Sequence, residues 1–370
     1  MASNREQTGT PQAYESDQKR NIPVSEEKVL EIKPADVNVE PSTRRPPELT
    51  NHLMDKDIHP VLIVGTKASG KTTMLQSLIY FMRRNNKNKH IDIRLGASAF
   101  PESYDNEKDR YESAAKFYNV SVQEFSKRRP TDPTSIPAPF FIPIDLFVGN
   151  DVFKFAFYEG MGEWFHKEGD SSAYYKDFKP EFAEIITNFT KPLSIIFLAP
   201  SVDDTTQTRE YAHLCIDNAI TQYHAHRVDS NADHALLIFS KWDKVFKPSD
   251  KDGHFSDATP QVMTEIMEDW EYVWPKFRGV KLAGPRAKSL MPYAAAWINE
   301  NNEIVRTSER YQHIFDKFNR TIWNWLYLNA IESRKTDSKR PIYSDVALQT
   351  EPPESILWKI AKRSLWLKGA

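Results

Sequence analysis

The sequence predicts an α/β fold, a mostly parallel sheet with helices on both faces, carrying polar segments at its two ends. Three observations lead there. From Pro60 to about Ser333, short apolar runs alternate with amphipathic stretches, the pattern of a parallel sheet flanked by helices. The apolar run Val61 to Val64 leads directly into GTKASGKTT, residues Gly65 to Thr73, with a helical pattern behind it. Two consecutive apolar runs, 140–148 and 152–158, are separated only by Gly149, Asn150 and Asp151. A connection that short makes an antiparallel hairpin, because a parallel crossover needs a dozen residues or more.

Length and composition allow one large domain or two small ones, with tails. The 370 residues are 40% hydrophobic and 12% aromatic, enough to fill a substantial core. Lysine and arginine number 49 against 51 acidic residues, a formal net charge of −2. That balance supplies no general attraction for nucleic acid or an anionic membrane, and no nucleic-acid partner is expected. Cys215 is the only cysteine, so neither an intrachain disulfide nor a cysteine zinc cluster can form; a buried thiol in a reducing, cytoplasmic setting is the natural reading. The opening MASNREQTGTPQAYESDQKR has no apolar core of the secretory kind. The longest apolar runs are too short to cross a bilayer.

In chain order, residues 1–57 are polar and proline-punctuated and read as a disordered N-terminal arm. Residues 58–335 form the predicted domain, with an insertion at about 86–135. Strands are expected at 61–64, 91–94, 140–148, 152–158, 193–199, 235–240 and 288–293, and helices at 71–84, 107–127, 181–189, 206–226, 259–277 and 308–333. Residues 336–370 are a tail. Within it, 354–367 place Ile356, Leu357, Ile360 and Leu367 on one helical face and Lys359, Lys362 and Arg363 on the other, an amphipathic basic helix suited to a peripheral membrane or protein contact, or to packing back on the domain.

GTKASGKTT matches G-x-x-x-x-G-K-[ST] at every position, behind a strand and opening a helix, the context that makes the motif a phosphate loop. Together with the alternating pattern it predicts the three-layer sandwich of P-loop NTPases. Gly65, Ser69, Gly70 and Thr73 belong to the cradle, Lys71 reaches the terminal phosphates, and the Thr72 hydroxyl is the magnesium ligand. Lys67 has no fixed role. The plainer reading is a glycine-rich strand-to-helix turn.

The run His234 to Ser240 delivers Ser240-Lys241-Trp242-Asp243 at a strand end. This resembles the [NT]-K-x-D motif of P-loop GTPases, and the resemblance implies that Asp243 accepts hydrogen bonds from guanine while the Lys241 stem packs on the base. Adenine presents an acceptor where guanine presents a donor, so a fixed carboxylate selects GTP. Ser240 departs from asparagine or threonine but keeps a hydroxyl able to bridge toward the phosphate loop. The alternative is a strand-end turn.

Further members of the pattern are carried over by resemblance. Glu159-Gly160-Met161-Gly162 stands where these GTPases carry D-x-x-G, implying that Glu159 holds magnesium and the Gly162 N–H meets the γ-phosphate; a glycine-rich turn is the alternative. Glu163 takes the place of the water-orienting glutamine of Ras-like proteins. Thr134, ahead of Thr131, is the candidate switch threonine for magnesium and the γ-phosphate. Arg129, with Arg128, is either an arginine acting in cis on the transition state or a solvated helix end. Ala294 follows the last strand where a small pair touches the base.

The resemblance, to the translation-factor-related (Ras-like, TRAFAC) class of P-loop GTPases, spans about 60–332. The long insertion and the G-x-G-E form are similar to predicted bacterial GTPases of conflict and signalling systems. It implies a GTP/GDP-binding switch with slow, magnesium-dependent hydrolysis and an effector or regulatory protein as partner. Two other readings stay open: an ATP-using P-loop ATPase or kinase, and a nucleotide-bound interaction protein that does not turn over.

Overall fold

The computed structural model describes residues 48–66, 68–85, 90–126, 140–159, 180–201, 209–227, 233–245, 288–296, 309–334 and 341–343, together with Val273, Phe277, Ile298 and Ile304. The chain divides into two units, Met1–Arg44 and Arg45–Ala370, and every described residue lies in the second. The predicted tail helix at 354–367 and most of the helix at 259–277 fall outside the described residues.

The first described element corrects the boundary of the arm. Glu48–Asp55 is a helix, α1, where the sequence reads as flexible up to residue 57. Its apolar side is short: Leu49 and Leu53, one turn apart, are both fully buried. Thr50 fixes it further, its amide and hydroxyl both donating to the Glu184 carboxylate, at 3.0 and 3.2 Å.

The strand Ile58–Gly65 (β1) is buried along its whole length and runs into the phosphate loop and the helix Lys71–Arg84 (α2). Ile91–Leu95 (β2) and the helix Glu107–Ser126 (α3) belong to the predicted insertion. Phe140–Val148 (β3) and Asp151–Glu159 (β4) form the hairpin, and Gly149 at its tip has φ +61°, a left-handed backbone that glycine adopts without strain. The helix Pro180–Asn188 (α4), strand Ser194–Pro200 (β5), helix Arg209–His226 (α5), strand His234–Ser240 (β6), short helix Trp242–Val245 (α6), strand Lys288–Pro292 (β7) and helix Glu309–Arg334 (α7) complete the described order.

The seven strands form one sheet in the order β2-β3-β4-β1-β5-β6-β7. β3 is antiparallel to both neighbours, while β4, β1, β5, β6 and β7 pair in parallel. The expected single reversed strand is therefore β3, and β2 extends the sheet beyond it.

Strand alternation divides the core in two, since successive side chains point to opposite faces. Leu62, Ile195, Phe197 and Leu237 join the cluster that includes α1, α4 and α5. Val61, Ile63, Ile196 and Ile238 join the one built on α2, α3 and α7. On that second face Trp323 of α7 lies edge-on to Phe155 and Phe157 of β4, at centroid distances of 6.4 and 6.0 Å. Cys215 is buried in the first cluster, as its sequence suggested.

The edge of the sheet where β5 and β6 begin is held by a buried ion pair. Arg227, just past α5, donates from Nε and Nη2 to the two carboxylate oxygens of Asp233, at 2.6 and 2.8 Å. The same guanidinium donates to the Ile186 and Lys191 carbonyls, each at 3.1 Å, and Asp233 accepts the Leu193 amide at 3.0 Å. The Tyr223 hydroxyl donates to Asp233 Oδ2 as well, so each carboxylate oxygen holds two donors, which is what makes a buried pair tolerable.

Candidate functional site

The opposite, carboxyl edge gathers the sequence motifs. β1 ends at the phosphate loop, β4 ends at Glu159 and β6 ends at Ser240, the edge at which open α/β sheets bind ligands. The register places Glu159 beside Ile63 of β1, one strand away from the loop.

Two backbone features explain the loop's residues. A Cβ on Gly65 would stand 2.5 Å from Ser69 Oγ and 3.1 Å from the Leu198 carbonyl oxygen, so a side chain there would force the Ser69 hydroxyl to turn away and crowd the β5 backbone. Gly70, at φ +93°, caps α2 from a left-handed conformation. Ala68 shares that conformation at φ +58°. Lys71 is buried and donates to the Gly65 and Thr66 carbonyls at 2.9 and 2.7 Å, which holds its ammonium inside the turn. Ser69 Oγ is buried and has no hydrogen-bond partner among the described residues. Such a side chain suits an oxygen-rich ligand seated in the loop.

With this loop between β1 and α2, the strand order and the single reversed strand decide the architecture. The chain has the α/β P-loop NTPase fold. Helices cover both faces, as the sequence predicts.

The base-reading segment is tied directly to the loop. Ser240 Oγ donates to the Ser69 carbonyl oxygen at 2.6 Å, with both residues buried. Lys241 adopts φ +59°, a conformation that costs a non-glycine residue energy and is retained where the surroundings enforce it. Asp243 is buried, 7% exposed, and its Oδ2 accepts the Ile298 amide at 3.2 Å. Burial pushes its carboxyl above the ordinary aspartate range, against the opposing pull of the Ile298 amide and of Lys244. Lys244 clasps the other side of Ile298, donating to its carbonyl at 2.5 Å.

Ala294 is buried and follows Tyr293, whose amide donates to the Phe239 carbonyl at 2.9 Å. The Tyr293 carbonyl accepts the Trp242 amide at 3.2 Å, so the segment after β7 is stitched to Lys241–Asp243. Sequence reasoning missed Asn319 of α7 and Ser77 of α2, which reach this segment. No motif marks either one.

Thr72 and Thr73 begin α2, half-buried. Lys67, Arg129, Thr134, Gly162 and Glu163 lie outside the described residues, as do Arg128 and Thr131. No described helix is long and apolar enough to cross a membrane.

No family model matches the sequence. No curated protein matches it either. Among solved structures, the Ski7 GTPase-like domain of S. cerevisiae bound to GDP and inorganic phosphate is 11% identical at TM-score 0.32, covering 72% of this chain and 51% of that one. The same domain bound to GTP is 13% identical at TM-score 0.33, covering 71% and 50%. The sup35 protein complexed with GDP is 11% identical at TM-score 0.27, covering 70% and 44%. The chain thus spans about half the length of these structures.

Proposed function

We propose that this chain is a guanine-nucleotide switch: it binds GTP and GDP with magnesium at the carboxyl edge of the sheet and hydrolyses GTP slowly. The observation that carries the reading is the 2.6 Å bond from Ser240 Oγ to the Ser69 carbonyl. It fixes the segment bearing Asp243 to the loop bearing Lys71, so one rigid edge offers both a phosphate cradle and a carboxylate.

The electrostatics favour guanine. A buried carboxylate at Asp243, with the Ile298 amide on its Oδ2, can accept the N1–H and exocyclic amine of guanine, while adenine brings an acceptor against it. The Ser69 hydroxyl, without a hydrogen-bond partner among the described residues, and the crowding at Gly65 fit a loop wrapped on phosphate oxygens. Lys71 would move its ammonium from the loop carbonyls to the terminal phosphates.

For magnesium the donor set on this edge is the Thr72 hydroxyl, with Glu159 at the end of the neighbouring strand and Thr134 from the switch segment. Oxygen donors of this kind suit a hard cation. When bound, it neutralises charge on the β- and γ-phosphates. Gly162, Glu163 and Arg129 are the proposed contacts of the γ-phosphate, the attacking water and the transition-state charge. The narrower tie to bacterial conflict and signalling GTPases rests on the insertion and on the G-x-G-E form alone.

The test is a side-by-side titration with GTP and ATP in magnesium, on the parent chain and on Asp243→Asn. Two donors to an ionised acceptor should favour GTP by about a hundredfold, and Asp243→Asn should abolish most of that margin. Equal affinities in the parent would instead support the ATP reading. Single-turnover hydrolysis of GTP, with Lys71→Ala as the blank, separates the switch from a nucleotide-bound protein that never turns over, a reading favoured by Glu159 in place of aspartate.

A further inference from the structure

The base-reading segment is held in place by a side chain far along the sequence. Asn319, on α7, has its carboxamide buried between α2 and the segment after β7. Its Oδ1 accepts the Tyr293 hydroxyl at 3.0 Å, and its Nδ2 donates to Ser77 Oγ at 3.0 Å. Ser77 Oγ in turn donates to the Ala295 carbonyl at 3.3 Å. The two ends of one amide therefore grip residues 293–295, one directly and one through the phosphate-loop helix. Ser77 lies in the second turn of α2, the helix that Lys71 opens.

Each partner is chemically suited to a fixed arrangement. Tyr293 is buried, which pushes its phenol upward and keeps it a donor. Asn319 offers one acceptor and one donor group in a rigid plane. The single Ser77 hydroxyl proton has two acceptors at 3.3 Å, the Ala295 carbonyl and Asn319 Oδ1, and a buried network of this kind is costly to break.

We propose that Asn319 is a positioning residue for base recognition: it sets residues 293–295 against the phosphate-loop helix, so that nucleotide preference depends on a contact made by the last described helix. The inference rests on the guanine-nucleotide reading and adds to it a residue that touches neither base nor phosphate. Asn319 meets the base side directly, through Tyr293, and the phosphate-loop helix six residues beyond Lys71, at Ser77. The phosphate loop has its own supports, Ser240 and Lys71.

The experiment compares GDP, ADP and inorganic pyrophosphate binding by calorimetry, on the full chain and on Asn319→Ala. Loss of buried hydrogen bonds should weaken GDP about tenfold while pyrophosphate affinity stays within about twofold. The GDP-to-ADP preference should shrink by the same factor. If GDP and pyrophosphate weaken together, or if neither changes, Asn319 has no positioning role and the inference falls. Tyr293→Phe removes a single hydroxyl and carries the test should Asn319→Ala fail to fold; about a fivefold loss of GDP with pyrophosphate spared supports the proposal, and parallel or absent losses overturn it. A parent chain that binds GDP no more tightly than ADP would sink the guanine reading itself, a result distinct from a preference that survives both substitutions.

Discussion

Ser240→Ala removes one hydroxyl from the centre of the site. In the parent that hydroxyl donates to the Ser69 carbonyl at 2.6 Å, and neither residue is more than 2% exposed. The alanine leaves the carbonyl without that donor, in a place water reaches poorly. Stranding a buried acceptor costs about 1–3 kcal/mol. At a urea slope of about 3 kcal/mol per molar, the unfolding midpoint should fall by roughly 0.3–1 M. A second consequence sets the expectation apart from a general loss of packing: the bond joins the two halves of the site, so nucleotide affinity should fall along with stability. Ser240→Thr keeps the donor and should track the parent in both. Equilibrium urea unfolding, with and without saturating GDP, measures both quantities. A midpoint unmoved by Ser240→Ala, or a loss shared equally by Ser240→Thr, would refute the claim that this hydroxyl ties the base-reading segment to the loop.

Two more outcomes are expected. Because burial raises the Asp243 carboxyl, the folded chain without nucleotide takes up a proton at a higher pH than the unfolded chain does; the stability Asp243 contributes is fully present below the ordinary aspartate range, near pH 4, and is lost as pH rises through the raised value. Guanine donors need the ionised form, so GDP affinity should run the other way and weaken by up to about tenfold per pH unit below the raised value, a dependence that calorimetry at several pH values reads and Asp243→Asn should erase. At the far edge of the sheet, Asp233→Asn leaves the buried Arg227 cation without its carboxylate, which should cost about 3–5 kcal/mol in urea unfolding while leaving the GDP-to-ADP preference unchanged. A cost under about 1 kcal/mol would show the pair to be dispensable.

Local signals account for what could be read from the sequence. α2 spans Lys71–Arg84 as expected, because a glycine cap and the 3.6-residue period are both properties of neighbouring residues. The hairpin of β3 and β4 follows from three loop residues, and β6 from an unbroken apolar run. α1 was hidden for the converse reason. Its buried side is Leu49, Leu53 and the polar Thr50, and eight residues behind a proline-rich stretch carry too little periodic signal to stand out. The hydroxyl of Ser240 was legible as a bridge, but its partner is a backbone carbonyl that no residue type announces. Asn319 and Ser77 are 242 positions apart, and nothing in either neighbourhood specifies the other. The same holds for β2, whose place at the sheet edge is set by its pairing with β3.

The division of the core between two faces bears on how the chain is made. Every described motif residue of the nucleotide edge has been synthesised once Ala295 is added, yet the face of the sheet that bears Phe153, Phe155 and Phe157 also needs Trp323 and Tyr327 of α7 for its covering. A nascent chain that has not reached Glu309 presents those three phenylalanines without their α7 partners. Such surface invites association with other chains or with a chaperone. Vectorial synthesis thus leaves this protein a late vulnerable interval, which closes only as α7 leaves the ribosome and docks.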